Sequence, residues 1–155
     1  MIIKIEELMP NDIIEIHKIQ KMAFKDAFDK YHFCPAFEAT EKELTSFLMK
    51  AVGYKIVCDG KIVGSIFICK ISLDHYELDT MSINPQFQNL GIGCKAIAQL
   101  EKIHPNVLTW TLSTPDSDGR NRHLYEKFGY KQVGTESINK NLKLIKYKKE
   151  LDLVR

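Results

Sequence analysis

Residues 88–93, Gln-Asn-Leu-Gly-Ile-Gly, put two glycines one residue apart where polar–apolar alternation gives way to helical spacing. Gly91 and Gly93 lack a Cβ, so the backbone there can come close to a ligand. A helix start adds unpaired N–H groups and the positive end of the helix dipole, which gives the junction the chemistry of a phosphate cradle. A tight turn with no ligand would use the same two glycines. Just upstream, Glu77 and Asp79 stand two residues apart in an alternating segment, which puts both carboxylates on one face of a strand. Carboxylates held side by side raise one another's pKa, as a base working near neutrality requires. An exposed strand, or attraction of a cationic substrate, would also account for the pair.

Two general phosphate-binding patterns can be set against this stretch. A P-loop needs G-x-x-x-x-G-K-[ST], and no Lys-Ser/Thr pair follows in that register. The dinucleotide fingerprint G-x-G-x-x-A is matched by Gly91 to Ala96, with Asp116 at about the distance of a ribose-binding acid. In that fingerprint the first glycine directly follows a strand that opens the domain. Here residues 84–90 intervene and antiparallel-looking strands come first.

The elements that must position these groups are legible from periodicity. Residues 2–8 alternate and predict a first strand. Ile13, Ile16, Ile19 and Ala23 form one stripe behind an Asn11/Asp12 cap and predict a helix over 11–28. A loop broken by Pro35 follows, and Thr40-Glu-Lys-Glu43 has the form of a capping box that starts a second helix. Two apolar runs over 54–73 joined by Asp59-Gly60 predict a hairpin. Residues 75–83 form a further strand, 91–103 a helix and 107–113 a buried strand. Residues 119–128 read as a helix closed by Gly129, and 130–138 and 142–151 as two last strands. The lysines of the final strand suggest a solvated sheet edge. With no repeat, linker or composition break, residues 1–155 are expected to be a single α+β domain around a mixed sheet.

Composition narrows the function. The chain has 155 residues, 45% hydrophobic and 27% charged, the usage of an ordinary soluble domain with a sizeable core. A net charge of +2 is too small to imply a nucleic-acid partner. The apolar runs are too short to cross a bilayer. The first ten residues carry acids where a signal peptide needs an unbroken apolar segment, so the expected location is cytoplasmic, with no membrane partner. Cys34, Cys58, Cys69 and Cys94 stand singly in apolar surroundings with no metal-ligand spacing, and are expected to be core thiols with no metal site.

The sequence Gln88-x-x-Gly91-x-Gly93, behind a strand and the Asn84-Pro85 turn, resembles the pyrophosphate loop of the GNAT superfamily of acetyl-CoA-dependent N-acetyltransferases. Residues 121–134, in which a helix carries Tyr125 and ends at Gly129-Tyr130, resemble that family's C-terminal signature. The resemblance covers essentially the whole chain. It implies a mostly antiparallel central sheet flanked by helices and splayed between the fourth and fifth strands. It also implies acetyl-CoA as co-substrate, a small-molecule or peptide amine as acceptor, and direct transfer in a ternary complex with no covalent role for Cys94. Dimers are common in the family.

Residue by residue, the resemblance implies that Met81, Ser82 and Ile83 pair through their backbone with the pantetheine arm. The N–H groups of Asn89, Leu90, Gly91, Ile92, Gly93 and Cys94 hold the pyrophosphate, assisted by the Gln88 side chain. Lys95, Arg120 and Arg122 are candidates for outer phosphates. Asn121 and Tyr125, four apart on one helix, can face the same groove. Many members carry an asparagine where this chain has Asp118, a departure that bears on the pantetheine contact. Tyr125 holds the position of the acid that protonates the departing thiolate, although its spacing with Leu124 and Phe128 also fits a core residue. Glu77 matches a glutamate that deprotonates the amine, with Asp79 as the other candidate, and the Ile83 N–H would polarise the acetyl carbonyl. The acceptor would enter between the first two helices and the last hairpin, along an aromatic wall of Tyr31, His32, Phe33 and Phe37. A non-catalytic acyl-CoA sensor and a dinucleotide-binding module are the alternatives.

Overall fold

The computed structural model describes residues 1–152 of the protein. The first strand, β1 (Ile3–Glu7), turns Ile3 and Ile5 inward and its charged residues outward. A 3₁₀ turn at Pro10–Asp12 leads into α1 (Ile13–Tyr31), whose Ile13, Ile16 and Ile19 are buried as their spacing requires. The expected Asn11/Asp12 cap does not form. The Asp12 carboxylate instead accepts from Met9 N (2.9 Å) and Lys55 Nζ (3.0 Å), which ties the turn to the next strand. Pro35 starts a helix rather than breaking a loop, since its missing N–H costs nothing at the first helical position. That helix is α2 (Pro35–Glu38). The capping box then forms as expected: Thr40 and Glu43 exchange side-chain to backbone bonds of 3.1 Å at the head of α3 (Glu41–Leu48).

Strands β2 (Val52–Cys58) and β3 (Lys61–Lys70) form the expected hairpin. Asp59 and Gly60, at φ 50° and 84°, make the left-handed pair that matches strand twist. Strand β4 (His75–Ile83) pairs antiparallel with β3. Phe67 faces Thr80 and Ile68 faces Leu78, so Asp79 is an extra residue in β4, a bulge. After a 3₁₀ turn at Pro85–Phe87 come α4 (Ile92–Ile103), β5 (Thr109–Pro115), α5 (Gly119–Lys127), β6 (Lys131–Asn139) and β7 (Leu142–Glu150).

The seven strands form one sheet in the order β1-β2-β3-β4-β5-β7-β6. Among the described residues only the central β4–β5 pair is parallel, and it holds register at three positions, His75 to Glu77, before the strands part. The expected splay is therefore present, and the parallel sheet beyond Gly91 that a dinucleotide fold needs is not. The edge assignment is corrected: lysine-rich β7 lies inside the sheet between β5 and β6, and the almost fully exposed β6 takes the edge. Ile145 and Tyr147 are buried on one face of β7, while Lys146, Lys148 and Lys149 pair with Glu136, Glu150 and Glu101. A lysine stripe reports which face of a strand meets water, and says nothing about whether its edges are paired.

Helix α4 covers one face of the sheet, where Ile92, Ala96, Ile97 and Leu100 pack on Ile56, Ile66, Leu78, Trp110 and Tyr147. α1 and α3 cover part of the other, around Ile13, Ile16, Leu44 and Phe67. Of the four cysteines, expected as core thiols, only Cys58 is fully buried; Cys34, Cys69 and Cys94 are half-buried.

At the foot of α4, His104 bonds the Tyr54 hydroxyl (2.7 Å) and packs edge-on to Tyr76 and Trp110. Burial, and secondarily Lys70, lower its pKa. A depressed folded pKa means the unfolded chain binds the proton first, so the stability from neutral His104 is present above about pH 6.5 and is lost below it. The thermal midpoint is expected to fall between pH 7.5 and 5.5, and to fall less in His104→Gln; equal slopes for both proteins, followed by circular dichroism, would refute this.

Candidate active site

Where β4 and β5 part, a cavity of about 1080 Å³ opens between them. Its floor is the last residues of β4, because pairing with β5 has ceased there while pairing with β3 continues. The direction of the free amides follows from strand alternation. Asn84 N donates to Val63 O (2.7 Å) and Ser82 O lies against Gly64, so even-numbered residues at this end turn their backbone toward β3. Met81 and Ile83 consequently turn theirs into the gap. Ser82 lines the cavity, but its carbonyl points to β3 and its hydroxyl is bonded to Ser65 Oγ (2.7 Å).

β4 runs directly into the glycine loop. Asn89 and Gly91 both adopt left-handed backbone, φ 64° and 80°, which turns the chain from the 3₁₀ segment into α4. Nothing lies within 4 Å of where a Gly91 Cβ would stand, so no protein contact requires a glycine there; the backbone conformation does, and open space fronts it. A Cβ on Gly93 would touch Leu124 and Met81 at 3.4 Å, ordinary contact. Gly91 caps α4 with no side-chain bond, which leaves first-turn N–H groups aimed out of the helix.

The loop is held by the side chain of its own first residue and by one from α5. Gln88 Nε2 donates to Ile83 O (3.0 Å), and Arg120 Nη1 donates to Gln88 Oε1 (3.0 Å) and Asn89 Oδ1 (3.4 Å). Gln88 thus braces the loop against β4, and Arg120 clasps it from α5. Arg120 lines the cavity; Arg122 does not, being bonded to the Tyr147 hydroxyl and Asp116 O, and Lys95 is exposed outside the lining.

Among the sequence candidates, Met81, Ser82, Ile83, Gln88, Asn89, Gly91, Ile92, Gly93, Cys94 and Asn121 all line the cavity. Leu90 stands outside the lining, half exposed. Asn121 takes part through the head of α5, where Asp118 accepts from its N (3.0 Å) and Nδ2 (2.9 Å). Asp118 is therefore the cap of α5, a role an asparagine could share.

Tyr125 and Glu77 are both outside the lining. Tyr125 is 5% exposed among Tyr130 and Tyr147, and burial, with a smaller contribution from Asp118, raises its phenol well above the usual range. Glu77 sits where the β4–β5 pairing ends, opposite Cys69. Its carboxyl is raised by burial and next by Asp79, against the opposing pull of His75 and Lys146. The bulge interrupts the expected alternation at Asp79, yet the two carboxylates still feel each other.

Of the aromatic wall, Tyr31 and Phe33 line the cavity. Phe37 stacks on Phe28 at 4.8 Å instead, and His32 is exposed at the left-handed end of α1. Tyr31 joins three elements: its hydroxyl bonds Ser117 Oγ (2.6 Å) and its carbonyl accepts from Asn139 Nδ2 (3.2 Å). Lining residues the sequence reading missed are Ala23, Phe24 and Ala27 of α1 and Ile138, Leu142 and Leu144 of the last hairpin. The first three continue the Ile13–Ile19 stripe by helical spacing, which was the available signal.

Comparison with known proteins agrees with this geometry. A family model described as an acetyltransferase (GNAT) domain matches residues 51–132. The uncharacterised protein YrkN of Bacillus subtilis (strain 168) is 33% identical over 76 residues, 48% of this chain and 41% of that protein, so the matched stretch spans less than half of that relative. In fold, the ribosomal-protein-S18-alanine N-acetyltransferase from Escherichia coli superposes with a TM-score of 0.81 at 18% identity, covering 99% of this chain and 97% of that one. The PaiA N-acetyltransferase from Thermoplasma acidophilum in complex with coenzyme A gives 0.79 at 17% identity, covering 97% and 99%. An N-acetyltransferase from Staphylococcus aureus Mu50 gives 0.78 at 17% identity, covering 98% and 100%.

Gly91→Val forces a β-branched residue into left-handed backbone, a strain of about 1–2 kcal/mol. It is expected to weaken coenzyme A binding about ten-fold or more by titration calorimetry while the protein stays folded at 25 °C. Unchanged affinity would remove the loop from the site.

Proposed function

We propose, from the premise that this chain belongs to the acetyltransferase (GNAT) family, that it moves an acetyl group from acetyl-CoA to a primary amine bound beside it. The single observation that carries this reading is the parted edge of β4 running into the Gly91 loop and the bare head of α4. A long ligand with amides at one end and phosphates at the other matches that sequence of surfaces. The fit is to open backbone: the Met81 amide meets the pantetheine arm, the Ile83 carbonyl being held by Gln88, and the N–H groups of residues 89–94 meet the pyrophosphate. Gln88 acts by holding the loop in shape, and Arg120 lies close enough to its open side to exchange Gln88 for a phosphate oxygen.

When bound, acetyl-CoA supplies the activated acyl group. The chain's own residues then move protons and hold charge. The Ile83 N–H, turned into the gap, polarises the carbonyl under attack. Glu77, its carboxyl raised by burial and by Asp79, takes the proton of the incoming ammonium directly or through water. Tyr125, kept protonated by its surroundings, donates to the departing sulfur. Residues 1–155 act in this as one N-acetyltransferase domain.

A second reading has one observation in its favour. Tyr125 is buried outside the cavity wall, as it would be in a protein that binds acyl-CoA without turning it over. Calorimetric titration with acetyl-CoA, with NAD as control, tests the shared premise: saturable acetyl-CoA binding supports it, and a response to NAD alone would overturn it. Tyr125→Phe then separates the two readings. If Tyr125 is the acid, turnover with saturating substrates is expected to fall by about 10²- to 10⁴-fold with acetyl-CoA affinity retained; unchanged turnover would remove it from the mechanism.

Glu77 must be ionised to act, and its pKa is raised, so the rate is expected to climb as pH rises through that pKa. In Glu77→Gln this acid limb is expected to disappear along with most of the rate. A pH–rate profile of the variant that keeps the limb would assign the base elsewhere.

A further inference from the structure

The cavity is larger than the roughly 300–1,000 Å³ typical of a pocket for one drug-sized ligand. Its lining also extends past the glycine loop and α5, onto α1 and the last hairpin. The part not claimed by the loop and α5 is lined by Ala23, Phe24 and Ala27 of α1, by Leu142 and Leu144 of the last hairpin, and by Phe33. Tyr31 offers this space its ring, since its hydroxyl is bonded to Ser117.

The charges around the cavity are few and unbalanced. Lys30, Arg120 and Lys127 are cations, against the carboxylates Asp26 and Asp118, and Asp118 is occupied by Asn121 through both oxygens. Arg120 is bonded to the glycine loop, which leaves Lys30 and Lys127 against Asp26, the one lining carboxylate with no such commitment, and a single carboxylate is too little to hold a polycation. Glu77 and Asp79 lie outside the lining and serve the single reacting ammonium.

From this wall and this charge we infer that the acceptor is a monoamine with an apolar body, an arylalkyl or alkyl primary amine, rather than a polyamine or an amino sugar. The inference rests on the acetyl-transfer reading above. Each methylene moved from water onto such a wall gains about four-fold in affinity.

The test begins with calorimetry of the full chain and acetyl-CoA, then follows acetylated amine by mass spectrometry for propylamine, pentylamine, phenethylamine and spermidine. kcat/KM is expected to rise about four-fold per methylene from propylamine to pentylamine, and phenethylamine to exceed spermidine at least ten-fold. Leu144→Asp, on the half-buried hairpin face, is expected to lower the pentylamine rate and raise spermidine relative to it, with acetyl-CoA affinity retained. A flat alkyl series, or spermidine as the better substrate, overturns the inference while tight acetyl-CoA binding leaves the transfer reading standing. Preference for hexanoyl-CoA over acetyl-CoA with a flat amine series also overturns it, by giving the apolar wall to the acyl chain. Absence of acetyl-CoA binding removes the transfer reading itself, and this inference with it.

Discussion

The parting of two parallel strands in the middle of a sheet is the constraint from which the site follows. Backbone amides inside a protein need partners, and a gap between β4 and β5 after only three paired positions leaves a row of them without strand partners. A fold can keep such a gap only if each strand is secured on its other side. β4 is secured by β3 along its length, and β5 by β7 over all seven of its residues. That is why β7 has to lie inside the sheet and why the chain ends as a hairpin with its second strand innermost. Tyr31 then ties α1 to the segment after β5 and to β6 through Ser117 and Asn139, across the cavity from the glycine loop's own braces.

Pre-setting the gap matters because ordering a loop or strand at the moment of binding costs affinity. The Gly91 loop is handled in the same way. Its left-handed residues are permitted by glycine and asparagine chemistry, and its position is held by Gln88 and Arg120 from either side. The bare N–H groups at the head of α4 are thus aimed by contacts that do not themselves occupy the cradle.

Much of this was legible in the sequence, for identifiable reasons. Short-range chemistry reads well: the Asp59-Gly60 turn, the Thr40/Glu43 box, and the Ile13–Ile19 stripe each rest on spacings within a few residues. The glycine pair and the helix ending at Gly129 located the loop and α5 for the same reason. What failed depended on tertiary partners. Asp12 makes no side-chain cap bond to α1 because its carboxylate is taken by Met9 N and by Lys55, forty-three residues away. β7 was placed on the edge because its lysines record solvent on one face, whereas its neighbours are chosen by the gap. The hairpin side of the cavity was expected from the resemblance, but Ile138, Leu142 and Leu144 were not singled out, because they carry no local signal for what they face. Asp118 in place of an asparagine proved compatible with the fold, since either residue caps a helix.

The bulge at Asp79 has a consequence best put in terms of parity. In an unbroken strand, Glu77, Met81 and Ile83, all odd-numbered, would share a face. The single extra residue shifts the phase, so Met81 and Ile83 join the core beneath α4 while Glu77 stays on the opposite side. One face of β4 thereby carries Glu77 and the other packs under α4. Counting residues between Leu78 and Thr80 is therefore part of the site's design: deleting one would send residues beyond it to the wrong faces with every side chain still chemically intact.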